Sequence, residues 1–411
     1  MLNLFPNIRK HDAKHVYLAF NAATALLNGA IFTAYSVYVV TVAHLDPLQL
    51  VLAGTFLELS VFLFEVPTGV VADVYSRRLS VIVGYFIIGV GFFITGMIPS
   101  FWPIILGQVL WGIGYTFTSG ASQAWISDEI GEVEAGQIFI RVTKLEQLTG
   151  LVGVVLAVAL AYISTATPII LGGVVYGLIG CYLLFFMPEN GFHPTPATDR
   201  TTWQRMFATF RGGLGMVRRR PALASILGIG FFFGLYSEGY DRLSQAHMLE
   251  RFEFPDLGGF PLVGWFGLLS AIGMLLTALA TAWLEKRNLT QPRRLAWTML
   301  FATFGIVASM ATFAITHNFA LVLALNVTIR VLRHSNEPLY VAWVNQRLDS
   351  QVRATVISMS SLVDAFGQMA GGPLVGLIAQ RFGMQTGLLS SVALLTPVVF
   401  LLVGQIRSNE R

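Results

Sequence analysis

Stretches of about 20 predominantly apolar residues, the length a helix needs to cross a bilayer's hydrocarbon core, recur twelve times along this chain. They lie at about 16–42, 48–71, 79–98, 103–126, 138–163, 168–187, 222–248, 261–284, 295–316, 319–344, 354–380 and 386–405. Backbone N–H and C=O groups in hydrocarbon must be paired within the segment, so each stretch is expected to be a helix. Composition agrees. Of 411 residues, 55% are hydrophobic and 12% charged, about half the charge of a soluble domain. That excludes a water-soluble enzyme and a disordered or fibrous chain. One cysteine, Cys181, excludes a disulfide framework and a Cys-based metal site.

Charge placement sets an expected orientation. Of the 26 Lys and Arg, nineteen fall in connections on one side, from Arg9, Lys10 and Lys14 to Arg407 and Arg411, and two, Arg251 and Arg381, on the other. The positive-inside rule puts the rich side and both termini in the cytoplasm. The net charge of +4 is thus mostly a topology signal and not a nucleic-acid one. The first apolar stretch, long and preceded by basic residues, is expected to stay as a helix and not to be cleaved as a signal. The longest connection, 188–221, contains Pro188, Pro194 and Pro196 and ends in Arg218-Arg219-Arg220-Pro221. It divides the chain into an N-terminal six-helix bundle (1–187), a cytoplasmic linker and a C-terminal six-helix bundle (222–411). The halves echo each other: Ala124-Trp125-Ile126 and Ala342-Trp343-Val344 stand 218 residues apart. An internal duplication, common among transporters, accounts for that.

Between the second and third stretches the chain reads Glu65-Val66-Pro67-Thr68-Gly69-Val70-Val71-Ala72-Asp73-Val74-Tyr75-Ser76-Arg77-Arg78. This resembles the G-x-x-x-D-x-x-G-R-R loop of the major facilitator superfamily, with Ser76 in place of a glycine. The residues around Trp343-Val344-Asn345 and Arg353-Ala354-Thr355 resemble the drug-efflux branch, the tetracycline- and macrolide-resistance transporters. Gln108 stands where that family often has arginine, and Gly150-Leu151-Val152-Gly153 lacks the proline common in antiporters. The resemblance implies an all-α membrane protein with twelve transmembrane helices in two pseudo-repeats. It also implies a gating loop of Gly69, Asp73, Arg77 and Arg78. There Asp73 latches the start of span eleven in the outward-facing state, and Arg77 or Arg78 pairs with Asp128.

Ionisable groups in hydrocarbon are costly and face cavities, partners or ion paths. Glu58, Glu65, Glu146, Glu238, Asp241, Glu337 and Asp364 fall inside the predicted spans, with Arg242, Arg330, Arg333 and His334. Glu58, Glu146, Asp241 and Asp364 are the candidates for proton coupling. Glu58 is either a proton site or a carboxylate bonded to Asn21 or Asn28, and Glu65 is read as structural. Arg330, Arg333 and Glu337 are spaced i, i+3 and i+7. An Arg330–Asp364 pair is expected, as a switch or a static bridge, with Glu337 competing. Glu238 and Arg242 suit an i,i+4 pair, which leaves Asp241 over for solute or proton. Asn28, Trp111, Tyr115, Tyr236 and Tyr240 are candidate cavity residues. Gly367-x-x-x-Gly371, Gly372-x-x-x-Gly376, Gly84, Gly89 and Gly91 suit close helix packing.

No P-loop and no metal-ligand spacing occur, so no enzyme activity, cofactor or metal is expected, nor a nucleic-acid partner. The expected function is proton-coupled efflux of lipophilic cationic or zwitterionic small molecules by a monomer in the bacterial plasma (inner) membrane. Proton-linked transport of an anionic metabolite or lipid-like solute is the alternative. A non-transporting receptor on the same fold is a third reading, against which the Asp73 loop argues.

Overall fold

The computed structural model describes residues 12–194, 203–204, 211, 221–287, 291–347 and 350–408. The expectations for the remainder of the 188–221 linker, its arginine run included, lie outside the described residues. Thirteen helices and no strand occur among the described residues. They are α1 (Ala13–Thr41), α2 (Pro47–Val74), α3 (Arg77–Met97), α4 (Phe101–Thr118), α5 (Ala121–Ile130), α6 (Glu132–Ala161) and α7 (Thr167–Phe186). After the linker come α8 (Pro221–Arg251), α9 (Leu262–Glu285), α10 (Pro292–Ile315), α11 (Phe319–Arg347), α12 (Ser350–Phe382) and α13 (Met384–Ser408).

Polar caps begin these apolar helices. Asp46 accepts from Gln49 N at 2.9 Å while Gln49 Oε1 accepts from Asp46 N at 3.1 Å. That reciprocal pair satisfies two orphan donors at the start of α2. Ser76 caps α3 through Leu79 N at 2.9 Å, and Asn318 caps α11 through Leu321 N at 3.0 Å. Nine helices among the described residues are long and apolar enough to cross a membrane.

The fourth predicted span, 103–126, is corrected by the structure. It breaks into α4 and α5 at Gly120, whose φ is +72°, and α5 ends at Gly131, with φ +84°. Hydropathy averages over such a break; a left-handed backbone angle, cheap only for glycine, makes it. Asp73 likewise lies in the last turn of α2 and not in a loop, since only Tyr75 and Ser76 separate α2 from α3.

The chain divides into two compact units. The first comprises Met1–His44, Phe56–Trp203 and Gly258–Gly267; the second comprises Leu45–Thr55, Gln204–Leu257 and Leu268–Arg411. Within the first, α3 packs on α4 and α7 through glycines. A Cβ at Gly91 would meet Gly107 O at 2.8 Å, and one at Gly89 would meet Gly173 O at 2.8 Å. Within the second, α12 packs on α8, and Gly367 and Gly371 lie directly against the α8 backbone at Phe231 and Leu235. Trp125 and Phe92 in the first unit, and Trp343 and Phe313 in the second, are among the largest fully buried side chains.

Candidate functional site

α8 and α11 are absent from the helices apolar enough to cross a membrane on composition alone. Polar residues lower their hydropathy, and those residues share one face of each helix. On α8 the face runs through Phe233, Tyr236, Tyr240, Asp241 and Ser244; on α11 it runs through Asn326, Arg330, Arg333, Glu337 and Tyr340. Steps of three and four residues keep such positions in line on a helix. α12 adds Ser360, Asp364 and Gln368. Together the three stripes line a cavity of about 690 Å³ inside the second unit.

Arg333 spans this cavity. Its Nη1 and Nη2 donate to the two carboxylate oxygens of Asp241, the second at 2.9 Å. The guanidinium also lies 5.3 Å from the Tyr236 ring centroid and 5.5 Å from that of Tyr240. A bidentate carboxylate and two aromatic faces together fix its position. Both tyrosines are buried. Asp241 is therefore not left over, as its spacing suggested: its partner comes from another helix, which sequence distance does not reveal. The Glu238–Arg242 pair forms at 2.8 Å as the i,i+4 spacing predicts.

The expected Arg330–Asp364 ion pair does not form. Asp364 accepts from Gln368 Nε2 at 2.8 Å, one turn along its own helix. Arg330 has no ion-pair partner among the described residues. Its stem runs over Gly273 of α9, where a Cβ would sit 2.5 Å from Arg330 Cδ. The groups acting electrostatically on Arg330 are Asp241, Tyr240 and Arg333, whereas on Asp364 they are Glu337 and Arg333. Glu337 and His334 are exposed where they line the cavity. Tyr340 hydroxyl donates to Ile226 O at 3.0 Å and pairs with Ser360 Oγ at 2.8 Å, tying α11 to α8 and α12. Sequence reading missed Gln368, Ser360 and Tyr340. The i,i+4 spacing of Asp364 and Gln368 was the one available signal.

The other expected cavity residues lie in the first unit, where Tyr176 and Phe92 link Asn28 to Trp111. Asn28 Oδ1 accepts from Tyr176 hydroxyl at 2.6 Å, Trp111 packs at a tilt against Phe32 and Phe92, and Tyr115 is exposed. They do not line the cavity described above. Glu58 and Glu146 are half-buried and Glu65 is exposed. Asn21 Nδ2 donates to its own helix at Tyr17 O, 2.8 Å. Gln108, at the position where arginine was expected, is buried and donates to Tyr35 hydroxyl at 3.0 Å.

Arg77 and Arg78 are anchored at one end of the first unit. Arg77 Nη1 binds Asp128 and donates to Ala124 O at 2.9 Å. Arg78 Nη2 donates to Leu184 O at 2.5 Å, and Glu189 accepts from Arg78 N at 2.9 Å and Ser76 Oγ at 2.7 Å. Glu129 accepts from Asn190 N and from Gly191 N, the latter at 2.7 Å, and Trp125 Nε1 donates to Pro188 O at 2.6 Å. Glu129 and Glu189 were not singled out from sequence, because their partners lie 61 to 113 residues away. Gly69 and Asp73 are half-buried near the end of α2.

Comparison with known proteins follows this architecture. The profile of the Major Facilitator Superfamily matches residues 18–372. YxaM of Bacillus subtilis (strain 168), an uncharacterized MFS-type transporter, is 24% identical over 399 residues, covering 96% of this chain and 97% of its own. The crystal structure of the nucleoside transporter NupG superposes with a TM-score of 0.74 at 13% identity, over 96% of this chain and 98% of that one. A bacterial homolog of the human lysosomal transporter Spinster, inward-facing and unoccupied, gives 0.75 at 14% identity, over 97% and 98%.

Proposed function

This chain belongs to the major facilitator superfamily and is a multi-pass membrane transporter, and from that premise we propose that it exports cationic or zwitterionic amphipathic small molecules in exchange for protons. The observation that carries the reading is the charge content of the cavity in the second unit. Its lining holds two arginines, Arg330 and Arg333, and three carboxylates, Asp241, Glu337 and Asp364. Asp241 is matched by Arg333. Glu337 and Asp364 each stand one helical turn from the Tyr340–Ser360 hydroxyl pair, which brings the two carboxylates to the same part of the lining. Two like charges in one site are relieved by a proton or by a cationic group, and the two compete for the same oxygens. Such competition links solute release to proton entry. Phe233, Tyr236, Tyr240 and Tyr340 supply apolar faces for the rest of the solute. The outward direction rests on the sequence likeness to the drug-efflux branch. Residence in the bacterial plasma membrane is supported by the likeness to YxaM of Bacillus subtilis, and the cytoplasmic placement of both termini by the Lys and Arg distribution.

Arg330 favours a second reading, transport of an organic anion, because its guanidinium has no ion-pair partner among the described residues. Proteoliposomes with an imposed pH gradient and a panel of lipophilic cations, zwitterions and organic anions separate the two. The proposal expects gradient-driven movement of the first two classes, lost in Asp364→Asn. Movement of anions alone establishes the second reading.

A further inference from the structure

The cavity of the second unit is polarised along its length. One end holds Arg330, a cation with no ion-pair partner among the described residues. The other end holds Glu337, seven residues on, and Asp364; they stand one helical turn from Tyr340 and from Ser360 respectively, whose hydroxyls are bonded at 2.8 Å. Seven residues of helix rise by about 10 Å at ~1.5 Å each. Between the ends, Arg333 is neutralised by Asp241 and held over Tyr236 and Tyr240. The middle is therefore aromatic and charge-matched, while the two ends carry opposite charge.

From this arrangement we propose that the site takes an extended zwitterion, with its carboxylate on Arg330, its ammonium shared by Glu337 and Asp364, and its chain laid along the tyrosines. The proposal rests on the reading of this cavity as the transport site and names its substrate class. A guanidinium donates two parallel hydrogen bonds to a carboxylate, and an ammonium has three donors to divide between two carboxylates. The ammonium takes the place of a proton, so the charge at the acidic end is the same with either bound. The carboxylate then neutralises the positive end. An α-amino acid, with both charges on one carbon, cannot reach both ends. Two residues of extended chain, about 7 Å, can. A volume of about 690 Å³ lies within the usual range for small-molecule sites.

The test is calorimetric binding to the purified wild-type protein in detergent. The probes are unbranched α,ω-amino acids from glycine to 8-aminooctanoate, with alkylamines and alkyl carboxylates of matching length. Affinity is expected to rise at least tenfold from glycine to the six- or seven-carbon members. Each singly charged analogue is expected to bind at least tenfold more weakly than the amino acid of its length. Arg330→Gln should bring the amino acid down to the alkylamine and leave the alkylamine unchanged; Glu337→Gln should weaken both. A flat series, or alkylamines equal to amino acids in the wild type, overturns the proposal without recourse to any variant. The same probes in proteoliposomes distinguish the underlying reading. The chain-length profile without pH-driven movement removes the proton-coupled function and keeps the zwitterion site. Driven movement of lipophilic cations with a flat series does the opposite.

Discussion

Arg330 and Arg333 stand one helical turn apart in the same cavity and have different surroundings. Arg333 meets a carboxylate and two tyrosine rings, whereas Arg330 has a glycine under its stem and forms no ion pair among the described residues. Their substitutions should differ accordingly. Arg333→Gln and Asp241→Asn should each cost about 1–2 kcal/mol, the lower range for a charged hydrogen bond because Asp241 is half exposed. The double variant should cost less than the two singles added together. Arg330→Gln should be neutral or stabilising, since it removes a desolvated charge without stranding a partner. Thermal unfolding in detergent reads all four, and a large loss in Arg330→Gln would refute the contrast. A second residue-scale prediction concerns Arg77, whose partner Asp128 is largely buried with it. Arg77→Gln should cost about 2–3 kcal/mol and speed proteolysis at the Pro188–Gly191 segment, which is bonded to the same end of the unit.

Helix-scale behaviour turns on a few glycines. Gly367 and Gly371 bring α12 onto the backbone of α8, and any side chain there must push the helices apart. Gly371→Ala should destabilise by about 1–3 kcal/mol, the usual cost of overpacking. Gly404→Ala on α13, with nothing within 4 Å of its added Cβ, should be neutral or slightly stabilising. Gly120 acts through its backbone. At φ +72° and ψ −44° an alanine is strained by about 1–3 kcal/mol, although the space around it is open. If Gly120→Ala proves as stable as the wild type, the break between α4 and α5 is not held by that angle. The close-packing glycines of α3 and α12 were legible from their spacing. The α4–α5 break was not, because a run of apolar residues has the same hydropathy whether its helix is continuous or kinked.

Over the whole molecule, charge divides by function. Lys and Arg crowd the connections on one expected side, which is a record of membrane insertion, and the cavity charges sit on α8, α11 and α12. The orientation is testable at the linker. In a Cys181→Ser background, Thr198→Cys should resist a membrane-impermeant maleimide added to intact cells and react after permeabilisation. Labelling of intact cells at the rate seen after permeabilisation would invert the proposed orientation. Transport should follow the same division: Asp364→Asn is expected to lower pH-driven flux at least tenfold while Gly404→Ala keeps it. Equal flux in both would show that the proton is carried elsewhere, and Glu58→Gln is then the variant to compare.

The amino-acid sequence by itself determined the helical architecture, the apolar segments and the family likeness. Each is set by local composition, by caps such as Asp46 with Gln49, or by a contiguous motif. It also singled out the ionisable residues, since charge in an apolar run stands out wherever the run folds. Tertiary structure decided the pairing. Asp241 is bonded by Arg333 and Asp364 by Gln368, Arg330 forms no ion pair among the described residues, and Glu129 and Glu189 bind segments far along the chain. Which carboxylate a guanidinium reaches depends on the rotation of one helix against another. A rotation of about 100° per residue moves a side chain to a different neighbour, and that rotation is set by glycine contacts and ring packing between distant segments.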